Sequence, residues 1–340
     1  MLAYSFDPAH AAHHQDGHPE RPARLDAAIA RLEVAGVLAT MRRVPAQEAP
    51  RTALERVHDE AYLDLLETIS SIGGAQLDPD TYATQHSYAV ALRAVGGVLG
   101  VTDEVLSGEA SSGIALVRPP GHHARAFAPM GFCLLGNVAI GVNHARATHG
   151  IRRVLVVDFD VHHGNGTQEA FYGDPDVLFI SSQQFPFWPG TGAITETGVD
   201  EGAGATVNMP LPPGTGDALP RLYERVLPVL ARRFRPDAVF VSAGYDAHWL
   251  DPVGGLALSI EGIADIVRVI MDVADEYAGG RVIAALEGGY HAGAVAAGVL
   301  ATVRAMDGAG APVDDPFGPA PVRGSDLVRV TEALVSLHGL

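Results

Sequence analysis

Cysteine is nearly absent: Cys133 stands alone among 340 residues. No disulfide can close within the chain, so a small oxidised scaffold is excluded and nothing demands an oxidising compartment. Basic residues are scarce too, 23 against 40 acidic ones, for a formal net charge of -17. Nucleic-acid binders show a basic field, so nucleic acid is not expected as a partner, whereas a cationic substrate would suit an acidic surface. No apolar stretch approaches the roughly 18 residues that span a bilayer. Residues 1–7 (MLAYSFD) lack the basic-then-apolar pattern of a signal peptide. The expectation is a soluble cytoplasmic protein with no membrane partner.

What is present is core material. Hydrophobic residues make up 47% of the chain and charged ones 19%, which excludes disorder. Helical spacing of apolar residues predicts helices over 21–35, 60–69 and 86–106. Short apolar runs follow at 114–117, 154–157, 177–180, 238–241 and 282–286. All but the first are near-continuous rather than alternating, as in parallel strands covered on both faces. Between and after them, 137–148, 167–172, 216–234, 260–278 and 291–305 read as helices. The βαβα order points to an α/β fold, one mostly parallel sheet between two helical layers. Residues 308–324, rich in Gly, Pro and Asp, read as a loop before a last helix at 325–337. With no repeat and no long linker, a single domain over 1–340 is the simplest organisation.

Ligands in such folds bind beyond the carboxyl ends of the strands. Four of the five apolar runs end there in His, Asp or Tyr. RPPGHHA covers 118–124, DFDVHHGNGTQ 158–168, SAGYDAHWLDPVGG 242–255 and LEGGY 286–290. One histidine in such a place is more often structural, but four polar clusters at one sheet edge point to a site. Asp160 and His162 lie two apart and face the same way on an extended chain. With Asp246 from another strand end they make a two-carboxylate, one-imidazole set that leaves a position open for water, as catalytic zinc requires. His122 and His123 follow a Pro-Pro-Gly turn that can aim both rings, and imidazole suits proton transfer near neutral pH. His13-His14 and His162-His163 show that this chain repeats such pairs, so the dipeptide alone would also fit a surface role. Tyr290, after two glycines, could donate to a developing oxyanion. Phe132 and Trp188, in glycine- and proline-rich loops, could wall an apolar channel or simply pack.

Together these segments, with HPERPARL at 18–25 and FWPGTG at 187–192, resemble the zinc-dependent histone deacetylase family, in family order over most of the chain. The Asn of HHGN and the DAH after Tyr245 look more like its class II branch and bacterial relatives; acetylpolyamine amidohydrolases share much of the pattern. The resemblance implies the arginase/deacetylase α/β/α sandwich and a zinc amidohydrolase releasing acetate from acetylated lysine of a protein or peptide, or from an acetylated polyamine. It implies Asp160, His162 and Asp246 as zinc ligands, with His122, His123 and Tyr290 as catalytic groups. Asp158 would brace His122, and Asn165 would brace His123. The Gly131 carbonyl, Phe132 and Trp188 would hold the acyl-lysine chain, Trp188 standing where many members have phenylalanine. Potassium would touch Asp158, Asp160, His162 and Ser181, and a second potassium would lie by Phe171.

Two other outcomes remain open on the sequence. A two-metal ureohydrolase would want further bridging carboxylates, but Gly244 and Asn165 occupy places where an acid could have helped. A silent acyl-lysine binder would have no need for the full set of ligands, histidines and tyrosine. On substrate, Val253 in Asp251-Pro252-Val253-Gly254-Gly255 carries no charge at the position where polyamine-selecting relatives place an acid. That favours acyl-lysine, unless Asp251 or another rim acid supplies the charge.

Overall fold

The five apolar runs become neighbouring strands of one sheet. The computed structural model describes residues 1–308, 313, 315–321 and 324–340. In chain order the elements are β1 (Ala3–Phe6), α1 (Ala23–Val34), β2 (Arg42–Val44), α2 (Arg51–Leu54), α3 (Glu60–Ser71), β3 (Gly74–Gln76), β4 (Tyr82–Thr84), α4 (Ser87–Leu106) and β5 (Gly113–Leu116). Then come α5 (Asn137–His149), β6 (Val154–Asp158), α6 (Asn165–Phe171), β7 (Val177–Gln184), β8 (Thr206–Leu211), α7 (Leu219–Phe234), β9 (Ala238–Ala243), α8 (Ile260–Tyr277), β10 (Val282–Leu286), α9 (Ala292–Met306) and α10 (Val328–His338).

Eight strands pair in the order β2-β1-β5-β10-β9-β6-β7-β8, and every pairing in that sheet is parallel. β3 and β4 form a separate antiparallel pair. Alternation along β6 explains the layers. Leu155 and Val157 face the apolar layer built by α1, α7, α8 and α9, while Val154 and Val156 face α4 and α5. Every residue of β6 is buried, and on both faces the four before Asp158 are apolar, so the strand reads as one apolar run up to the carboxylate at its end. α8 shows the matching helix logic. Ser259 caps it by accepting from the Gly262 amide at 3.0 Å, and Ile263, Ile266, Val267, Ile270 and Val273 line its buried stripe.

The predicted helices are all present, with ends shifted by a few residues. β1, β2 and β8 of the main sheet and the small β3–β4 pair were not foreseen. β2 is three residues long with two exposed arginines, and β8 carries Pro210, so neither shows an apolar run. Of the loop predicted over 308–324, residues 309–312, 314, 322 and 323 lie outside the described ones.

Candidate active site

Parallel pairing puts the carboxyl ends of β5, β10, β9 and β6 side by side, and the polar clusters follow those ends. Asp158 is the last residue of β6 and pairs in register with Ser181 of β7 and Ser242 of β9. Two residues on, Asp160 is fully buried, and its Oδ1 accepts from the His162 amide at 2.9 Å. Asp246 follows β9, and its Oδ1 accepts from the Val161 amide at 2.9 Å. These turns bring three ligand atoms together: His162 Nδ1 lies 3.1 Å from Asp160 Oδ1 and 3.3 Å from Asp246 Oδ2.

The electrostatics of this triad fit a cation. Burial and the neighbouring Asp160 charge push the Asp246 carboxyl up to about 7, and its Oδ2 is buried without a hydrogen bond. Burial works against charge on His162, but the two carboxylates outweigh it and raise the imidazole to about 10. A proton on Nδ1 thus stands where a metal would bind. Gly244 marks how tightly the site is drawn, since a Cβ there would collide with the Asp160 carboxylate.

The tandem histidines sit above the triad with unlike partners. His122 Nδ1 is 3.0 Å from Asp158 Oδ2, and its Nε2 is 3.8 Å from Asp160 Oδ2. Burial alone would depress His122; the charges of Asp160 and Asp158 outweigh it and hold the ring well above its ordinary value. His123 Nδ1 instead meets Asn165 Oδ1 at 2.8 Å. Burial, then the positive charges of His122 and His162, hold it well below its ordinary value. The other pairs are different. His13 bonds Ser87 at 2.6 Å, and His163 bonds Thr191 and Gln168 at 2.7 and 2.9 Å, so these are structural.

Tyr290 stands edge-on to Phe132 at 5.5 Å, with Arg24 over its ring at 5.0 Å. Burial, then the Asp246 charge, push its phenol well above the ordinary value, so it stays a donor. Trp188 stands edge-on to His123 at 4.7 Å and to His162 at 5.8 Å, and is 40% exposed. Phe132 and Trp188 therefore cover different catalytic side chains at the mouth. Between them Gly131 takes φ +54, and a Cβ there would strike both Trp188 and His123. The Gly131 carbonyl accepts from the Cys133 thiol at 3.3 Å, leaving its second lone pair. Ser181 Oγ is buried without a partner beside Asp158. Phe171 ends α6, away from this set, and its carbonyl accepts from the Asp174 amide at 3.0 Å.

Four supporting residues, Glu287, Glu20, Arg24 and Arg118, were not singled out from the sequence. Glu287 Oε2 accepts from the Gly121 and His122 amides at 2.6 and 3.2 Å, holding the histidine turn. Fully buried Glu20 bridges Arg24 and Arg118, and Arg24 also donates to the Glu287 and Gly289 carbonyls. Asp251 corrects the idea of a rim acid. It is buried, its Oδ2 accepts from the Tyr290 and His291 amides at 2.6 and 3.1 Å, and its Oδ1 from Val253 at 3.0 Å. Both of its oxygens accept backbone amides within the chain, so it is committed to the tyrosine turn and does not stand exposed at a rim. The early signal for the four was their place inside the quoted motifs, Glu20 and Arg24 in HPERPARL, Arg118 in RPPGHHA and Glu287 in LEGGY.

Comparison with known proteins agrees with this geometry. The model of the histone deacetylase domain matches residues 18–306. Histone deacetylase 14, chloroplastic, of Arabidopsis thaliana is 38% identical over 98% of this chain and 83% of its own. The histone deacetylase-like amidohydrolase of Pseudomonas aeruginosa is 37% identical over 88% and 80%. The polyamine deacetylase HDAC10 of Homo sapiens is 38% identical over 88% of this chain and 46% of its own. A crystal structure of the HDA15 HD domain superposes with TM-score 0.89 and 33% identity, over 99% of this chain and 96% of that one. The protein whose buried Asp160, His162 and Asp246 lie beneath two differently braced histidines belongs to the histone deacetylase family and is a hydrolytic deacetylase of the arginase/deacetylase fold.

Proposed function

We propose that this enzyme removes acetyl groups from lysine side chains of peptides or proteins, leaving acetate and a free amine. The observation that carries the reading is the pair of histidines with opposite partners above one buried Asp160–His162–Asp246 triad. Those three residues would hold one zinc ion, His162 through Nδ1. When bound, the ion supplies Lewis-acid polarisation of the amide carbonyl and a more acidic water.

The chain's own residues account for the remaining steps. Asn165 Oδ1 can only accept, so His123 carries its proton on Nδ1 and presents a lone pair on Nε2. That nitrogen takes the proton of the attacking water and returns it to the amine as the C–N bond breaks. His122 stays cationic and supplies positive charge beside the reacting carbon. The Tyr290 hydroxyl donates to the oxygen that gains charge. Phe132 and Trp188 form an apolar slot for the four-carbon stem of lysine, and the Gly131 carbonyl accepts from the substrate amide. One metal is favoured over two, because the collision at Gly244 leaves no room for a bridging carboxylate there.

Potassium near the zinc site is part of the proposal. Ser181 Oγ, buried and unpartnered next to Asp158, supports it, with Asp160 and His162 completing the set. A second potassium at Phe171 rests on the family resemblance alone. A reducing compartment, the cytoplasm, is proposed from the single cysteine, which is buried.

Acetyl-lysine is preferred to acetylpolyamine because Val253 has no charge to offer a second ammonium and both Asp251 oxygens accept backbone amides. The experiment is kcat/KM for an acetyl-lysine peptide against acetylspermidine and acetylputrescine. The peptide should be turned over faster. A preference for the polyamines of about tenfold, equivalent to about 1.4 kcal/mol, would move the substrate to small molecules. Binding of the peptide without hydrolysis by the zinc-loaded protein would make it an acyl-lysine binder.

A further inference from the structure

A second cluster of metal-ligating side chains lies on α4 and α5. Nε2 of His144 and Nε2 of His149 each lie 2.7 Å from the same oxygen, Asp103 Oδ1. One ligand atom from each residue falls within 4.8 Å of the others. Five residues apart on a regular helix, the two rings would point about 140° apart. Here His149 is the last residue of α5, before Gly150 turns the chain at φ 66, and both rings reach Asp103 on α4. The histidine side chains are 14% and 19% exposed while Asp103 is 50% exposed. The ligating edges are held by packing, and one side stays open to water.

The surroundings suit a cation. Among the described residues, the ion-pair partners of Asp103 are these two histidines alone. Asp103 and His144 open onto a groove of about 430 Å³ whose other acids, Glu104 and Glu48, are taken up by Arg42 at 2.7 Å and Arg93 at 3.5 Å, so Asp103 is the carboxylate the two histidines share. Thr148 Oγ1 lies 3.3 Å from His144 Nδ1. Its hydroxyl can donate when Nε2–H faces Asp103. It can also accept Nδ1–H when Nε2 ligates a metal, the outer contact a ligating imidazole ordinarily makes.

We propose that Asp103, His144 and His149 form a second metal site, for zinc or a similar borderline divalent ion, that clasps the C-terminal end of α5 to α4. Two imidazoles, one carboxylate and a water complete a four-coordinate zinc shell. The other end of α5 begins at Asn137, whose side-chain amide donates to the Pro119 carbonyl at 3.0 Å, just before the catalytic histidines. The clasp therefore anchors the helix that backs the histidine turn.

The test is a count of bound zinc. Metal-stripped protein is dialysed against a modest excess of zinc, and bound metal is measured by elemental analysis. The wild type should hold two equivalents, His149→Ala one, Asp246→Ala one and the double variant none. The second equivalent should raise the thermal midpoint of the wild type and leave that of His149→Ala unmoved. Asp103→Asn, which keeps the shape of the side chain, should also lose one equivalent, so misfolding of a single variant does not decide the matter. Two equivalents retained in both His149→Ala and Asp103→Asn, or one equivalent in the wild type that Asp246→Ala abolishes, would overturn the second site. One equivalent that survives Asp246→Ala would count against the buried triad instead.

Discussion

His123 Nδ1 lies 2.8 Å from the side-chain oxygen of Asn165, whereas its neighbour His122 faces the Asp158 carboxylate at 3.0 Å. A neutral acceptor fixes the tautomer of His123 without favouring its charge; a carboxylate favours the charge of His122. Adjacent residues of one type thus take different roles, because their partners come from α6 and from the end of β6.

Asn165→Asp should therefore raise the pKa of His123, by about 1 unit or more for a carboxylate in contact. A general base must be neutral to act, so the acidic limb of the pH–kcat/KM profile should move to higher pH. His122→Ala should lower the rate throughout. A limb that stays in place in Asn165→Asp would remove His123 from the role of base.

Tyr290→Phe removes one donor and keeps the ring against Phe132 and Arg24. Loss of such a donor typically costs about 10²–10³ in rate. The loss should fall on kcat with KM little changed, because the bond strengthens in the transition state. Steady-state kinetics on an acetyl-lysine peptide check this, and wild-type turnover would exclude the tyrosine from the mechanism.

Asp251 acts through Tyr290. Asp251→Ala leaves the buried Tyr290 amide without an acceptor, at about 1–3 kcal/mol, and frees the half-buried His291 amide as well. The prediction is a fall in kcat approaching that of Tyr290→Phe, together with a lower thermal midpoint. Asp251→Asn keeps one acceptor oxygen and should recover part of both. Full activity in the alanine variant would show that the tyrosine turn holds itself.

His58 sets an acid limit on stability. Its Nδ1 is 2.9 Å from the Arg125 carbonyl, and its Nε2 accepts from the Gly136 amide at 2.9 Å, so it must be neutral. Burial lowers it from 6.5 to about 4. Below 6.5 the unfolded chain binds a proton that the folded one refuses, so stability falls as pH drops from 6.5 towards 4, by about 3 kcal/mol from this group at the lower end. Urea midpoints against pH should show a shallower slope for His58→Gln than for the wild type, and equal slopes would contradict the assignment.

Much of this site was legible because its chemistry needs particular residue types at strand ends. Asp160 and His162 could be grouped from a spacing of two, and Asp246 with them from its place just past the carboxyl end of another apolar run. The histidine braces came from the family resemblance, and the hydrogen bonds now give them a physical reason. The sequence leaves Asp251 open as a rim acid, and only the close approach of the Tyr290 turn shows that the carboxylate is buried and accepts backbone amides on both oxygens. The order of the strands was not readable, since pairing β5 with β10 joins residues 113–115 to 283–285. Nor was the Asp103–His144–His149 convergence, because a separation of five residues on a helix does not by itself bring two rings together.

The central claim is metal-dependent hydrolysis at the Asp160–His162–Asp246 triad. The direct measurement is acetate and free amine released from an acetyl-lysine peptide by the stripped protein, with and without added zinc, in the wild type and in Asp246→Ala. The chain contains no lysine, so the acetate measured cannot come from its own side chains. Equal amounts of both products, appearing only when zinc is restored and absent in Asp246→Ala, are the predicted result. Full turnover by metal-free protein, or by Asp246→Ala, would contradict it.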